Sequence, residues 1–162
     1  MKKLLLLFVF GIQLLQAQDI EESQEGYFFS ENSKNFFRVE ITKPYSIYRV
    51  ASCADAKFER AQFDGGDAAF SRELFRYISA YVDKEIYVIN GPFYLHLTIG
   101  NDGKLTDLEV TPKVENSEMF LRDLKFAVKK IRKNWTPAKC NNSPVNSRLR
   151  IKLNFITESA DI

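Results

Sequence analysis

The sequence predicts an α+β fold: a small antiparallel sheet packed against two helices, in the order helix, hairpin, helix, strand, with room for an extra hairpin in front. Three features predict it. Phe70, Leu74, Ile78 and Tyr81 recur at helical spacing, as do Phe120, Leu124, Ala127, Val128 and Ile131. Phe93, Leu95, Leu97 and Ile99 alternate with polar residues, as do Leu149, Ile151, Leu153 and Phe155, which is the period of a strand with one buried face. Between the helical stretches lies Gly100-Asn101-Asp102-Gly103, whose residue types tolerate the positive φ of a tight hairpin turn.

From the N-terminal side, Asp19 to Gly26 is polar and acidic without periodicity and reads as a loose segment. Phe36 to Thr42 alternates, with Phe37, Val39 and Ile41 on one face. A turn at Lys43-Pro44-Tyr45-Ser46 and a returning strand over Ile47 to Val50 complete the extra hairpin. Gly65-Gly66 interrupts the chain, and Asp67 can cap the first helix, which spans about Asp67 to Tyr81. The strand Phe93 to Ile99 returns through Lys104 to Thr111, where only Leu105 and Val110 mark the apolar face and a bulge is expected. The second helix spans about Ser117 to Lys133, with Ser117 as its cap. Lys129, Lys130, Arg132 and Lys133 complement its dipole at the far end, and Trp135-Thr136-Pro137 closes it. The last strand, through Phe155, alternates most regularly of all.

Met1-Lys2-Lys3, the apolar run Leu4 to Leu15 and the small Ala17 form the three parts of a secretory signal. Twelve residues of helix rise roughly 18 Å, short of the roughly 30 Å hydrocarbon core. Cleavage near Ala17 and an exported mature protein are therefore expected (periplasmic, with the resemblance given below), and a membrane association only if this segment is retained. The layout is then a signal peptide (1–17), an N-terminal extension (18–52), a principal domain (53–157) and a tail (158–162). Lys2 and Lys3 leave with the signal, taking the 23 basic residues down to 21, equal to the 21 acidic ones. No nucleic-acid partner follows from that balance. The remaining charge is uneven: Leu121 to Phe155 holds ten Lys or Arg and one acid, Asp123, which reads as solvated faces or as a basic surface for an acidic partner. Cys53 and Cys140 read as one disulfide of an oxidising compartment, with two free thiols or half a metal site as the other readings.

The chain offers little for catalysis. His96 is the only histidine and falls on the polar side of its strand, where it is expected to face solvent. No Ser–His–acid or Cys–His arrangement has local support in the sequence, and a single histidine excludes a multi-histidine metal site. The two cysteines form no Cys-x-x-Cys motif. Asp64-Gly65-Gly66-Asp67 lacks the Lys-Ser/Thr of a phosphate loop and carries acids that repel phosphate. The expectation is a non-enzymatic protein without catalytic, cofactor-binding or metal-binding residues. The last strand reads as a sheet edge. Its Arg148, Arg150 and Lys152 protect such an edge from pairing, while the same edge can accept an extended peptide, or a second copy in a homodimer, by strand addition.

Assembled, these landmarks resemble the C-terminal domain of TonB in its Bacteroidota-type form, from about Ala61 to Phe155. Ala61-x-Phe63-x-Gly65-Gly66 is similar to the Phe-Pro-Gly-Gly that leads into that family's first helix, with Asp64 in place of proline. Gly91 with Phe93, Leu95, Leu97 and Ile99 resembles its Gly-x-Val-x-Val-x-Phe-x-Val strand, and Asp102-Gly103 its turn. Trp135-x-Pro137-Ala138 and Pro144-Val145 with the strand to Phe155 complete the series. The resemblance implies a module that captures a short peptide of an outer-membrane transporter, or of another envelope protein, beside its own last strand. The implied edge is Arg148, Leu149, Arg150, Ile151, Lys152, Leu153, Asn154 and Phe155. An energy transducer with a retained N-terminal anchor is the alternative role, and an envelope-binding structural protein a third. Cys53 and Cys140 are not hallmarks of that family; a bridge between them would tether the N-terminal extension to the loop before the last strand.

Overall fold

The computed structural model describes residues 24–27, 35–48, 50, 53, 57–83 and 86–159; the signal-like segment lies outside them. The chain forms β1 (Gln24–Tyr27), β2 (Asn35–Ile41), β3 (Ser46–Ile47), β4 (Phe58–Glu59), β5 (Gln62–Phe63) and α1 (Gly66–Tyr81). It continues through β6 (Gly91–Ile99), β7 (Leu105–Thr111), α2 (Glu118–Lys129), β8 (Trp135–Thr136), β9 (Ala138–Cys140), β10 (Ser143–Val145) and β11 (Ser147–Ser159). The architecture is α+β with antiparallel sheets, as the alternating and helical periods imply. The main sheet has six strands in the order β1-β2-β11-β6-β7, with β3 also on β11.

Alternation sets the burial. Leu95, Leu97 and Ile99 of β6 and Leu149, Ile151, Leu153 and Phe155 of β11 are fully buried, because both strands turn their odd-numbered residues to the helices. Leu74 and Ile78 of α1 and Leu124 and Ala127 of α2 close the same core. Phe93, Phe120 and Phe155 meet edge to face, with ring centroids 5.1 to 5.8 Å apart, the arrangement the ring quadrupoles favour.

Several expectations are corrected. β2 and β3 do not form a hairpin. Both run antiparallel to β11, β2 against Leu153–Ser159 and β3 against Leu149–Arg150. They are successive stretches of one track, interrupted at Thr42–Tyr45. Val39 and Ile41 bring β2 to the core opposite Phe155 and Leu153, burial that folding back on β3 would not supply. Tyr45 holds the interruption down: its hydroxyl donates to the Asp67 carbonyl at 2.8 Å and meets Ser71 Oγ at 2.7 Å. Burial pushes that phenol well above its ordinary pKa, so it acts as a neutral hydrogen-bonding anchor. Of the segment read as loose, Gln24 to Gly26 belong to β1, paired with β2, and the rest lies outside the described residues.

The helix ends also differ. Asp67 does not cap α1; Gly65, in the left-handed region with φ 89°, does, and Asp67 instead takes Arg60 at 2.9 Å. Ser117 holds the N-cap position of α2 as expected but makes no cap bond from its side chain, which donates backwards to the Val114 carbonyl, and α2 ends at Lys129, the first residue of the basic run. The bulge foreseen in the central hairpin falls between Thr98 and Ile99.

Phe63, Gly103 and Trp135, three of the landmarks, meet in space. Phe63 pairs with Trp135 across β5 and β8, and the rings of Phe63, Phe70 and Trp135 lie 5.0 to 5.2 Å apart. Trp135 N donates to the Gly103 carbonyl at 3.1 Å. A Cβ on Gly103 would fall 2.1 Å from the Trp135 carbonyl oxygen, so the turn glycine answers both to its positive φ and to this close backbone approach. Cys53 and Cys140 form a disulfide with Cα atoms 5.8 Å apart. It ties the segment after β3 to β9, which pairs with β4 and β10 in a separate small sheet.

Candidate functional site

The last strand was expected to present an open edge over Arg148 to Phe155. It does not. β11 has β6 along one side and the N-terminal extension along the other. Leu153, Asn154 and Phe155 lie opposite Ile41, Glu40 and Val39 of β2, while Leu149 and Arg150 lie opposite Ile47 and Ser46 of β3. Tyr48 N donates to Arg148 O at 2.9 Å and Thr42 N to Lys152 O at 3.1 Å. Each residue of a strand directs its N–H and C=O to the same side. The even-numbered residues of β11 therefore face β2 and β3, and the odd-numbered ones face β6. The extension and the principal domain share one sheet, and the pairing groups a peptide or a second copy would need are already engaged. Alternation reveals which face of a strand is buried, but it carries no information on what flanks the strand, and this is why the edge was misplaced.

The two parts of the resident track are held differently. β2 is anchored by Val39 and Ile41, both fully buried. β3 is two residues long, and both are exposed, Ile47 at 40 %. What fixes β3 is Tyr48, whose hydroxyl lies 2.6 Å from His96 Nδ1 and whose ring carries the Arg148 guanidinium 5.2 Å from its centroid. Arg148 in turn pairs with Glu109 of β7 at 2.6 Å. Sequence reasoning did not single out Tyr48 or Tyr45; their one signal is aromatic residues on either side of a strand too short to bury anything.

His96 is not the solvent-facing residue expected. It is 8 % exposed, covered by Tyr48, with Nε2 2.7 Å from Thr111 Oγ1. Burial, then the Arg148 charge, holds its pKa below the ordinary 6.5, with Glu109 opposing and Arg150 adding to the effect. The folded chain thus binds this proton less readily than the unfolded chain. Stability from this site is fully present above about pH 6.5 and declines as the pH falls toward the depressed folded value. Between about pH 7.5 and about pH 5.5 the thermal midpoint is expected to drop, and the drop should shrink in His96→Gln. Equal slopes in scanning calorimetry of the two proteins would refute this account.

Among the described residues, no three His, Cys, Asp or Glu side chains converge as a metal site, and no helix is long and apolar enough to cross a membrane. Comparison with protein-family models, with curated proteins and with solved structures finds no match for this chain.

Proposed function

We propose that this protein is a non-enzymatic, exported interaction module of the TonB C-terminal type, which binds an extended peptide by strand addition. The partner the resemblance implies is a short segment of an outer-membrane transporter. The disulfide accords with the oxidising periplasm to which the signal-like N-terminus would direct the chain.

The observation that carries the reading is the unequal hold on the two halves of the track beside β11. An incoming strand exchanges with β3 over Arg148 to Lys152, where little apolar surface is lost, and leaves β2 in place over Leu153 to Phe155. The resident strand lowers the apparent affinity by the fraction of time it occupies the edge. It thereby keeps an otherwise adhesive edge covered until a partner arrives.

The test uses labelled peptides from the periplasmic N-termini of outer-membrane transporters. Arg150 directs its N–H toward β3, so Arg150→Pro removes a donor the peptide needs and should weaken binding at least tenfold. Tyr48→Ala removes the clasp on β3 and should strengthen binding several-fold. A folded Arg150→Pro variant that binds as the wild type does would sink the proposal. So would unaltered affinity in Tyr48→Ala, which decides the matter if the proline variant does not fold.

A further inference from the structure

The opposite side of the main sheet ends at β7, beyond which no strand pairs among the described residues. Following the pairing across the sheet, the odd-numbered residues of β6 face β11, so its even-numbered ones face β7. Their partners Asp107, Glu109 and Thr111 turn their main-chain groups inward to β6. Leu108 and Val110 consequently direct their N–H and C=O groups outward, off the edge. Their side chains go to the core, where Leu108 is 9 % and Val110 1 % exposed.

Helix α2 overhangs this edge and leaves two grooves beside β7, of about 490 and 550 Å³. The first is floored by Leu105, Leu108 and Val128, the second by Val110, Leu121 and Phe126, and Lys129 lines both. Phe126 is 47 % exposed and Val114, on the loop before α2, is 49 % exposed. The rim is basic. Arg122, Lys133 and Lys104 have acid partners in Asp123, Glu73 and Asp102. Lys113, Lys125, Lys129 and Arg132 form no ion pair among the described residues, and the only acids lining the two grooves are Asp107 and Glu118.

We propose that the β7 edge and the flank of α2 together form a second docking site, for an extended segment of a partner protein with apolar residues at alternate positions and acidic residues at its ends. The outward main-chain groups of Leu108 and Val110 supply ladder hydrogen bonds, the two grooves receive the apolar side chains, and the unpaired cations select the acids. An anionic polymer without apolar side chains would leave the grooves and the ladder groups unfilled. Basic termini would meet four like charges. On the other face of β7, Glu109 disfavours acids, which favours acidic positions on the helix side. This site lies on the other side of the sheet from β3 and stands or falls independently of exchange at β11.

The probe is a blocked seven-residue peptide with glutamate at both ends, valine at the third and fifth positions and threonine between. A stretch of this length extends about 23 Å, and its symmetry serves either strand direction. It is titrated into the isotopically labelled full chain. Saturable binding is expected, with at least tenfold slower amide exchange at Leu108 and Val110. Lys125→Glu combined with Lys129→Glu should weaken it at least tenfold, and the peptide with lysine ends should not bind. No saturable binding, equal binding of the lysine peptide, or protection beside Arg150 instead of β7 would each overturn the proposal. Binding of inorganic polyphosphate without binding of the peptide would assign the basic rim to a polyanion. Dimerisation through β7 without peptide would assign the edge to a second copy; both outcomes count against the proposal.

Discussion

Reduction of the Cys53–Cys140 bridge, or replacement of both cysteines by serine, is expected to lower the unfolding free energy by about 4–5 kcal/mol in the chain-entropy description of a loop this long. The bridged residues are 87 apart in sequence, so the bond removes a large share of the conformations of the unfolded chain. Typical domains have only about 5–15 kcal/mol in total, and the loss would leave this one marginal. The bond also lies where noncovalent support is thin. Cys53 follows β3, which is held mainly through Tyr48, and Cys140 belongs to a small sheet of short strands. Urea denaturation with and without reductant provides the measurement. An unchanged midpoint would mean that the unfolded chain is already compact around these residues, and that the entropic account fails here.

That bond illustrates what the sequence carries and what it does not. Cys53 and Cys140 were readable as a pair from their number and from the signal-like pattern of the N-terminus. Likewise Phe70, Leu74 and Ile78, or Leu149 to Phe155, state their own secondary structure and buried face, because those properties are local and periodic. Position in a sheet is neither. Nothing in Arg148 to Phe155 indicates that β2 and β3 lie against its outer side, since a protected edge and an inner strand with one polar face share the same alternation. Val39 and Ile41 announced a strand, but a choice between pairing with the next segment and pairing with a strand over a hundred residues away depends on where the core has a gap. His96 was misjudged for a related reason: a polar residue on the polar face was buried by Tyr48 from a distant segment. The β7–α2 groove is not legible in the sequence: Lys125, Lys129 and Arg132 fit a solvated face or a basic surface for an acidic partner equally well, and only the sheet order places Leu108 and Val110 on its last strand.

Phe155→Ala is expected to cost about 3–5 kcal/mol, the usual range for an aromatic side chain removed from a core. Phe155 is fully buried and stands where β2, β11 and β6 come together, opposite Val39 on one side and Gly91 on the other. Gly91 has no side chain, so from across that rung only Val39 can relax into the vacated volume, and the rings of Phe93 and Phe120 each lose an edge-to-face partner. Ile47→Ala provides the contrast. Ile47 is 40 % exposed, so its loss should cost about 1 kcal/mol or less. Chemical denaturation of both variants measures the difference directly. It bears on the proposed function because strand exchange at β11 would require a resident strand that contributes little where it is displaced, and a firm one where the sheet must hold. A cost for Ile47→Ala close to that for Phe155→Ala would make β3 as integral as β2, and the edge from Arg148 to Lys152 would then be closed to any partner.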